Sequence, residues 1–226
     1  MEILDRYQDS LRPDWLVFVL LILFLLLALV RVFGRERLLV ITRSVTRPRV
    51  PRQEVREMMD VLDIGYLGFW SILILSIGLF TYQHLVISGG HPFNYGPFQN
   101  YLMICAAIAS YFILKYLFIR VSMFVLGEEY GGAEYYYNTF MLFSIAGVAL
   151  IPLIIFSAYV QWVPSFILWV GIAILVIAVV YQWARGWIIA MGNGGRPGYI
   201  FLYFCVLEIL PFALLARVIY DAATVL

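Results

Sequence analysis

Lysine is almost missing from this chain: Lys115 is the only one in 226 residues. Histidine and cysteine each occur twice, and charged residues of all kinds make up 13%. Soluble domains carry about 25% charge, so the shortage of charge excludes an ordinary water-solvated fold. The two cysteines, Cys105 and Cys205, both lie inside apolar runs. A disulfide framework needs an even, spaced set, so they read as small packing residues at different depths. His84 and His91 are too few for a metal site, which wants more ligands nearby. The sequence also lacks a His-Glu-x-x-His pair, a Gly-x-Ser-x-Gly elbow and a Cys-x-x-Cys pair. Metallo-, serine and thiol chemistry therefore lack their usual parts.

What is present is apolar. Hydrophobic residues make up 64% of the chain, and its mean hydropathy is +0.92. Counted with Gly in place of Tyr the share is still about 65%, where soluble domains sit at about 45–50%. Such a chain buries its apolar surface in lipid. A helix needs about 20 mainly apolar residues to cross the hydrocarbon core, and six stretches qualify. They run from about Trp15 to Phe33, Ile64 to Leu85, Phe98 to Val125, Asn138 to Val160, Ser165 to Trp183 and Tyr199 to Tyr220. The fold class expected is all-α, a polytopic transmembrane helical bundle of six spans. It divides into 1–63, an N-terminal helix plus an Arg-rich connector, and 64–226, a five-helix core. The start is acidic (Glu2, Asp5, Asp9, Asp14) and its apolar run is long, unlike a cleaved signal peptide.

Basic residues set the orientation, because they favour the cytoplasmic side of short loops. Eight arginines, from Arg31 to Arg56, lie between spans one and two, while the stretch Ile87 to Asn100 has no Lys or Arg. Both termini are thus expected on the exported side. Trp15, Tyr82, Trp162, Trp183, Trp187 and Tyr220 fall near span ends, where amphipathic rings anchor in the headgroup layer. Gly65, Gly68, Ala106, Ser110, Gly147 and Gly171 are small enough to let helices approach closely.

Four features could carry chemistry. In span six, Glu208 lies about 14 Å along the helix from Tyr199, near mid-membrane. An intramembrane carboxylate is a functional candidate by default, and Pro211 leaves the carbonyl of Leu207 without its helical donor. Together they suggest an ion or proton site, although a kinked helix with a protonated or paired Glu is the weightier reading. Lys115 is the candidate partner, but the depth difference favours its snorkelling to the lipid phosphates beside Arg120.

The third feature is the stretch Gly127 to Tyr137, with Glu128, Glu129 and Glu134 followed by three tyrosines. It reads mainly as a solvated, tyrosine-anchored turn, with metal binding or docking of a basic partner as the sharper alternatives. Its paired glutamates suggest intramembrane CAAX-type proteases, but Ala133 stands where that signature has Arg, and the histidines that chemistry needs are absent from neighbouring spans, so that enzyme is rejected. The fourth feature is the arginine-rich connector. Arg43, Arg47, Arg49, Arg52 and Arg56 are candidate contacts to lipid headgroups or an acidic partner, over and above their topogenic role. The stretch Met191 to Gly198 is glycine-rich but lacks P-loop chemistry, and reads as a flexible connector.

The segments Leu114-Lys115-Tyr116-Leu117-Phe118-Ile119-Arg120, Tyr137-Asn138-Thr139-Phe140 and Tyr203 to Pro211 resemble the domain-of-unknown-function family 4271 of Bacteroidota membrane proteins. The likeness covers most of the chain from span two onward. It implies a bacterial inner-membrane protein, fits Lys115, Glu208 and Pro211 to the family pattern, and implies no activity.

The reading expected to hold is a non-catalytic component or assembly partner of an envelope complex in the bacterial cytoplasmic membrane. The alternative is a small-solute or proton-coupled transporter using Glu208, and behind it a lipid-modifying enzyme using Glu128, Glu129 and Glu134. No cofactor, metal or nucleic acid is expected. The partners expected are the bilayer and other envelope proteins, with self-association left open.

Overall fold

The computed structural model describes residues 13–33, 64–88, 96–126, 132–160 and 164–192. Among these the chain is helical throughout, with no strand. The helices are α1 (Asp14–Phe33), α2 (Ile64–Ile87), α3 (Pro97–Leu126), α4 (Gly132–Tyr159) and α5 (Pro164–Gly192). Each is long and apolar enough to cross a membrane. At 1.5 Å per residue, even the 20-residue α1 reaches about 30 Å, the thickness of the hydrocarbon core. The sixth expected span lies outside the described residues.

Successive helices alternate in direction, and their contacts show it. Trp15 at the start of α1 meets Tyr82 near the end of α2, with ring centroids 5.3 Å apart. Gln182 late in α5 reaches Tyr135 early in α4. The α4 helix packs on α2 and α5, α2 also carries α1 and α3, and α3 touches α4 more thinly. Burial follows this order. The crossing stretches of α2 and α4 are 50% and 56% buried, against 28%, 28% and 22% for α1, α3 and α5. Two inner helices therefore carry three outer ones.

The outer helices bury one stripe each. On α1, Leu16, Val19, Leu20 and Leu23 recur at helical spacing and are buried, while Phe18, Leu21 and Leu25 are more than half exposed. On α5, Phe166, Trp169 and Ile177 are exposed where a water-soluble protein would carry polar groups. Faces of this kind are stable against acyl chains.

Small residues close the inner seam. A Cβ at Gly147 would sit 2.7 Å from Ser76 Oγ and 3.3 Å from the Cα of Leu73, so α4 crosses α2 with backbone against backbone. At Gly171 an added Cβ would overlap the buried ring of Phe80. Ala106 and Ser110, expected to serve the same purpose, are exposed on α3 and do not. A polar tie reinforces the seam. Gln83, fully buried, donates from Nε2 to the carbonyl of Ile154 (3.2 Å), and Ser157 Oγ donates to Gln83 Oε1 (2.6 Å). Such bonds average about 0.6 kcal/mol in a membrane protein, and here two act between the same pair of helices.

Three expectations change. The α4 helix begins six residues before Asn138, so Gly132 to Tyr137 is helix and not a turn. Tyr135, Tyr136 and Tyr137 are buried in the bundle; phenol rings pack against helices as readily as they anchor at headgroups. Glu134 stands in the first turn of α4, where the helix dipole favours an acid. The α5 helix runs to Gly192, nine residues past its expected end, and takes in Arg185 as a buried residue. Tyr82 packs within a cluster of Trp15, Phe98 and Tyr101 and is only 4% exposed.

Candidate functional site

Five buried polar residues, Lys115, Asn138, Thr139, Gln182 and Arg185, lie where α3 and α5 end and α4 begins. Lys115 stands on the stripe of α3 that also carries Phe112 and Ile119, at intervals of three and four residues. That face packs inward, so Lys115 is 1% exposed. Its ammonium lies 5.9 Å from the ring centroid of Tyr111 and 5.6 Å from that of Tyr135. Both are cation–π distances, and desolvation strengthens such contacts.

The snorkelling expected of Lys115 is therefore corrected. Its stem is enclosed by the bundle and its charge meets tyrosine faces. Arg120, by contrast, is exposed, with its guanidinium over the Tyr116 ring and an N–H donated to that residue's hydroxyl.

Tyr135 links this cation to a second polar group. Its hydroxyl accepts a hydrogen bond from Gln182 Nε2 at 2.8 Å. Gln182 and Arg185 lie three residues apart on α5 and are both buried, Arg185 at 9% exposure. Between α4 and α5 they line a crevice together with Tyr135, Asn138, Thr139 and Tyr181. The crevice encloses about 10 Å³, room for about one water. Thr139 is satisfied locally, donating to the carbonyl of Tyr135 at 2.9 Å. Asn138 is not: it is 8% exposed, and neither its amide oxygen nor its nitrogen has a hydrogen-bond partner. One turn earlier on the same helix, Glu134 Oε1 is likewise buried without a partner.

This set consists of fixed cations, amides and phenols. It suits holding a polar group through several directed bonds in a place from which water is largely shut out. Among the described residues no three His, Cys, Asp or Glu side chains come together to hold a metal ion.

Of the residues singled out by sequence, Lys115 and Glu134 both lie at this end of the bundle. Glu208, Pro211, Arg43, Arg47, Arg49, Arg52, Arg56, Glu128 and Glu129 lie outside the described residues. Sequence reasoning passed over Tyr135, Asn138, Gln182 and Arg185. A signal was available on α5, where Ala178, Gln182 and Arg185 recur at four and three residues as one buried stripe. Polar residues on an otherwise apolar inward stripe mark a site more sharply than polar residues near a span end.

No curated protein and no solved structure matches this chain. One family model does, over residues 16–219, and so takes in α1 as well as the region from span two onward. The family is described only as a domain of unknown function. With nearly its whole length matched, the chain belongs to the Domain of unknown function (DUF4271) family.

Proposed function

We propose that this protein is a non-catalytic binding component of the bacterial inner membrane, a six-span bundle with exported termini that serves an envelope complex as an assembly partner. The observation that carries this reading is the make-up of the buried cluster. Lys115, Tyr135, Asn138, Gln182 and Arg185 form a set suited to recognition, held by three separate helices. Two connectors of opposite sign support it: the arginine block with Arg43, Arg47, Arg49, Arg52 and Arg56, and the acidic stretch with Glu128 and Glu129 that leads to Glu134 in the first turn of α4. Both would face the cytosol and offer charged docking surfaces. Purification of the tagged full chain in a mild detergent should bring down a second protein in fixed stoichiometry. A clean monomer or a self-dimer would count against the reading.

A second reading, solute transport, is favoured by the burial of Lys115 inside a span. Ionisable groups within membranes commonly mark ion or proton pathways. Glu208 would be its acidic counterpart, beside a carbonyl that Pro211 leaves free. In proteoliposomes enclosing a pH-sensitive dye, Glu208→Gln should abolish proton movement without altering insertion. Equal dye responses from parent and variant would remove transport from consideration.

A further inference from the structure

Asn138 sets the terms for what the crevice between α4 and α5 can hold. It is more than nine-tenths buried, lines the crevice, and has no hydrogen-bond partner at its amide nitrogen or its amide oxygen. Burying an amide with neither end bonded is costly, and native proteins rarely keep one without a reason.

The waiting donor and acceptor decide between occupants. A cation would answer the oxygen of Asn138 alone, and would sit beside Arg185, which lines the same crevice. An anion would answer the nitrogen alone. Water both donates and accepts. One molecule in the plane of the amide can take a bond from Nδ2 and return one to Oδ1. Its second proton can go to an acceptor in the same lining, the Thr139 hydroxyl on α4 or the amide oxygen of Gln182 on α5. Thr139 suits this role, because its own proton is donated to the carbonyl of Tyr135 at 2.9 Å and its lone pairs face no such demand. Buried waters make about three bonds of this kind.

Volume and depth agree. The crevice encloses about 10 Å³, the space of about one water and of nothing larger. The crossing stretch of α4 begins at Glu134, so Asn138 lies about 6 Å inside it at 1.5 Å per helical residue. That of α5 ends at Ile188, three residues beyond Arg185. The crevice therefore lies near enough to the headgroup layer for a water to enter, yet its walls shut out the bulk.

We propose that the α4–α5 crevice is a binding site for a single structural water, held by Nδ2 and Oδ1 of Asn138. The two inner seams then differ in kind. The α2–α4 seam is tied at Gln83 by protein groups alone, whereas the α4–α5 seam carries a solvent molecule beside the Gln182–Tyr135 bond.

The test uses the full chain, isotope-labelled and reconstituted in bilayers. It is read by solid-state NMR, with polarisation transferred from water protons at the pH of slowest amide exchange. The side-chain amide of Asn138 should receive that polarisation. The side-chain amide of Gln83, fully buried but bonded to the Ile154 carbonyl at 3.2 Å, should receive none. In Asn138→Leu the water signal at the Thr139 side chain should be lost. Should that variant fail to fold, the contrast between Asn138 and Gln83 in the parent carries the test by itself. No transfer to Asn138, or transfer equal to that at Gln83, overturns the site. So does transfer to Asn138 from lipid protons in place of water, or a Thr139 signal that survives in folded Asn138→Leu.

Discussion

Replacing Gly147 by leucine should prevent the bundle from assembling. The Cβ alone would stand 3.3 Å from the Cα of Leu73, and a backbone atom in a packed helix cannot rotate aside as a side chain can. Ser76 Oγ, the other neighbour, is held by its own bond to the carbonyl of Ile72 at 2.6 Å. Overpacking of a core costs about 1–3 kcal/mol when neighbours can adjust. Here the two inner helices must separate, so a loss of about 3 kcal/mol or more is expected. Gly147→Ala should fall between, since its added helix propensity, about 1 kcal/mol, offsets part of the clash. Ala106→Leu, on the exposed side of α3, should be neutral. The measurement is the melting temperature and the monodisperse yield of all three in one detergent. If Gly147→Leu matched Ala106→Leu, the close crossing of α2 and α4 would be wrong.

The second large effect is expected at Lys115. Changing it to glutamate would place a carboxylate against the negative faces of Tyr111 and Tyr135 at a position only 1% exposed. Two desolvated cation–π contacts, worth about 2 kcal/mol each, would be lost, and a charge of the wrong sign left in their place. Lys115→Glu should therefore fail to accumulate in the membrane, while Arg120→Glu, on the exposed face, should accumulate nearly as the parent does. Quantifying both proteins in washed membranes decides the point. Equal amounts would mean that the Lys115 ammonium reaches the headgroups after all.

These two residues also show how much could be read from the chain alone. The existence of the five described helices was legible because an apolar run long enough to cross hydrocarbon is a single physical demand met by adjacent residues. Their ends were not, since Tyr135, Tyr136 and Tyr137 suit a headgroup anchor and a packed helix equally well. The depth of Lys115 along α3 follows from its position in the apolar run, but its rotational position does not follow from depth. The same stripe as Phe112 and Ile119 would have turned it inward. Asn138 and Arg185 stand 47 positions apart, and nothing local announces that α4 and α5 bring them to one crevice. Sites assembled across helices depend on which helix lies beside which, and hydropathy is silent on neighbours.

The Gln83–Ser157 tie has a mechanical consequence. Hydrocarbon offers no competing donors, so moving α2 lengthwise past α4 would break both bonds at once with nothing to replace them. That end, closed further by the rings around Trp15, therefore acts as a fulcrum. Any relative movement of α2 and α4 should be a tilt about that end.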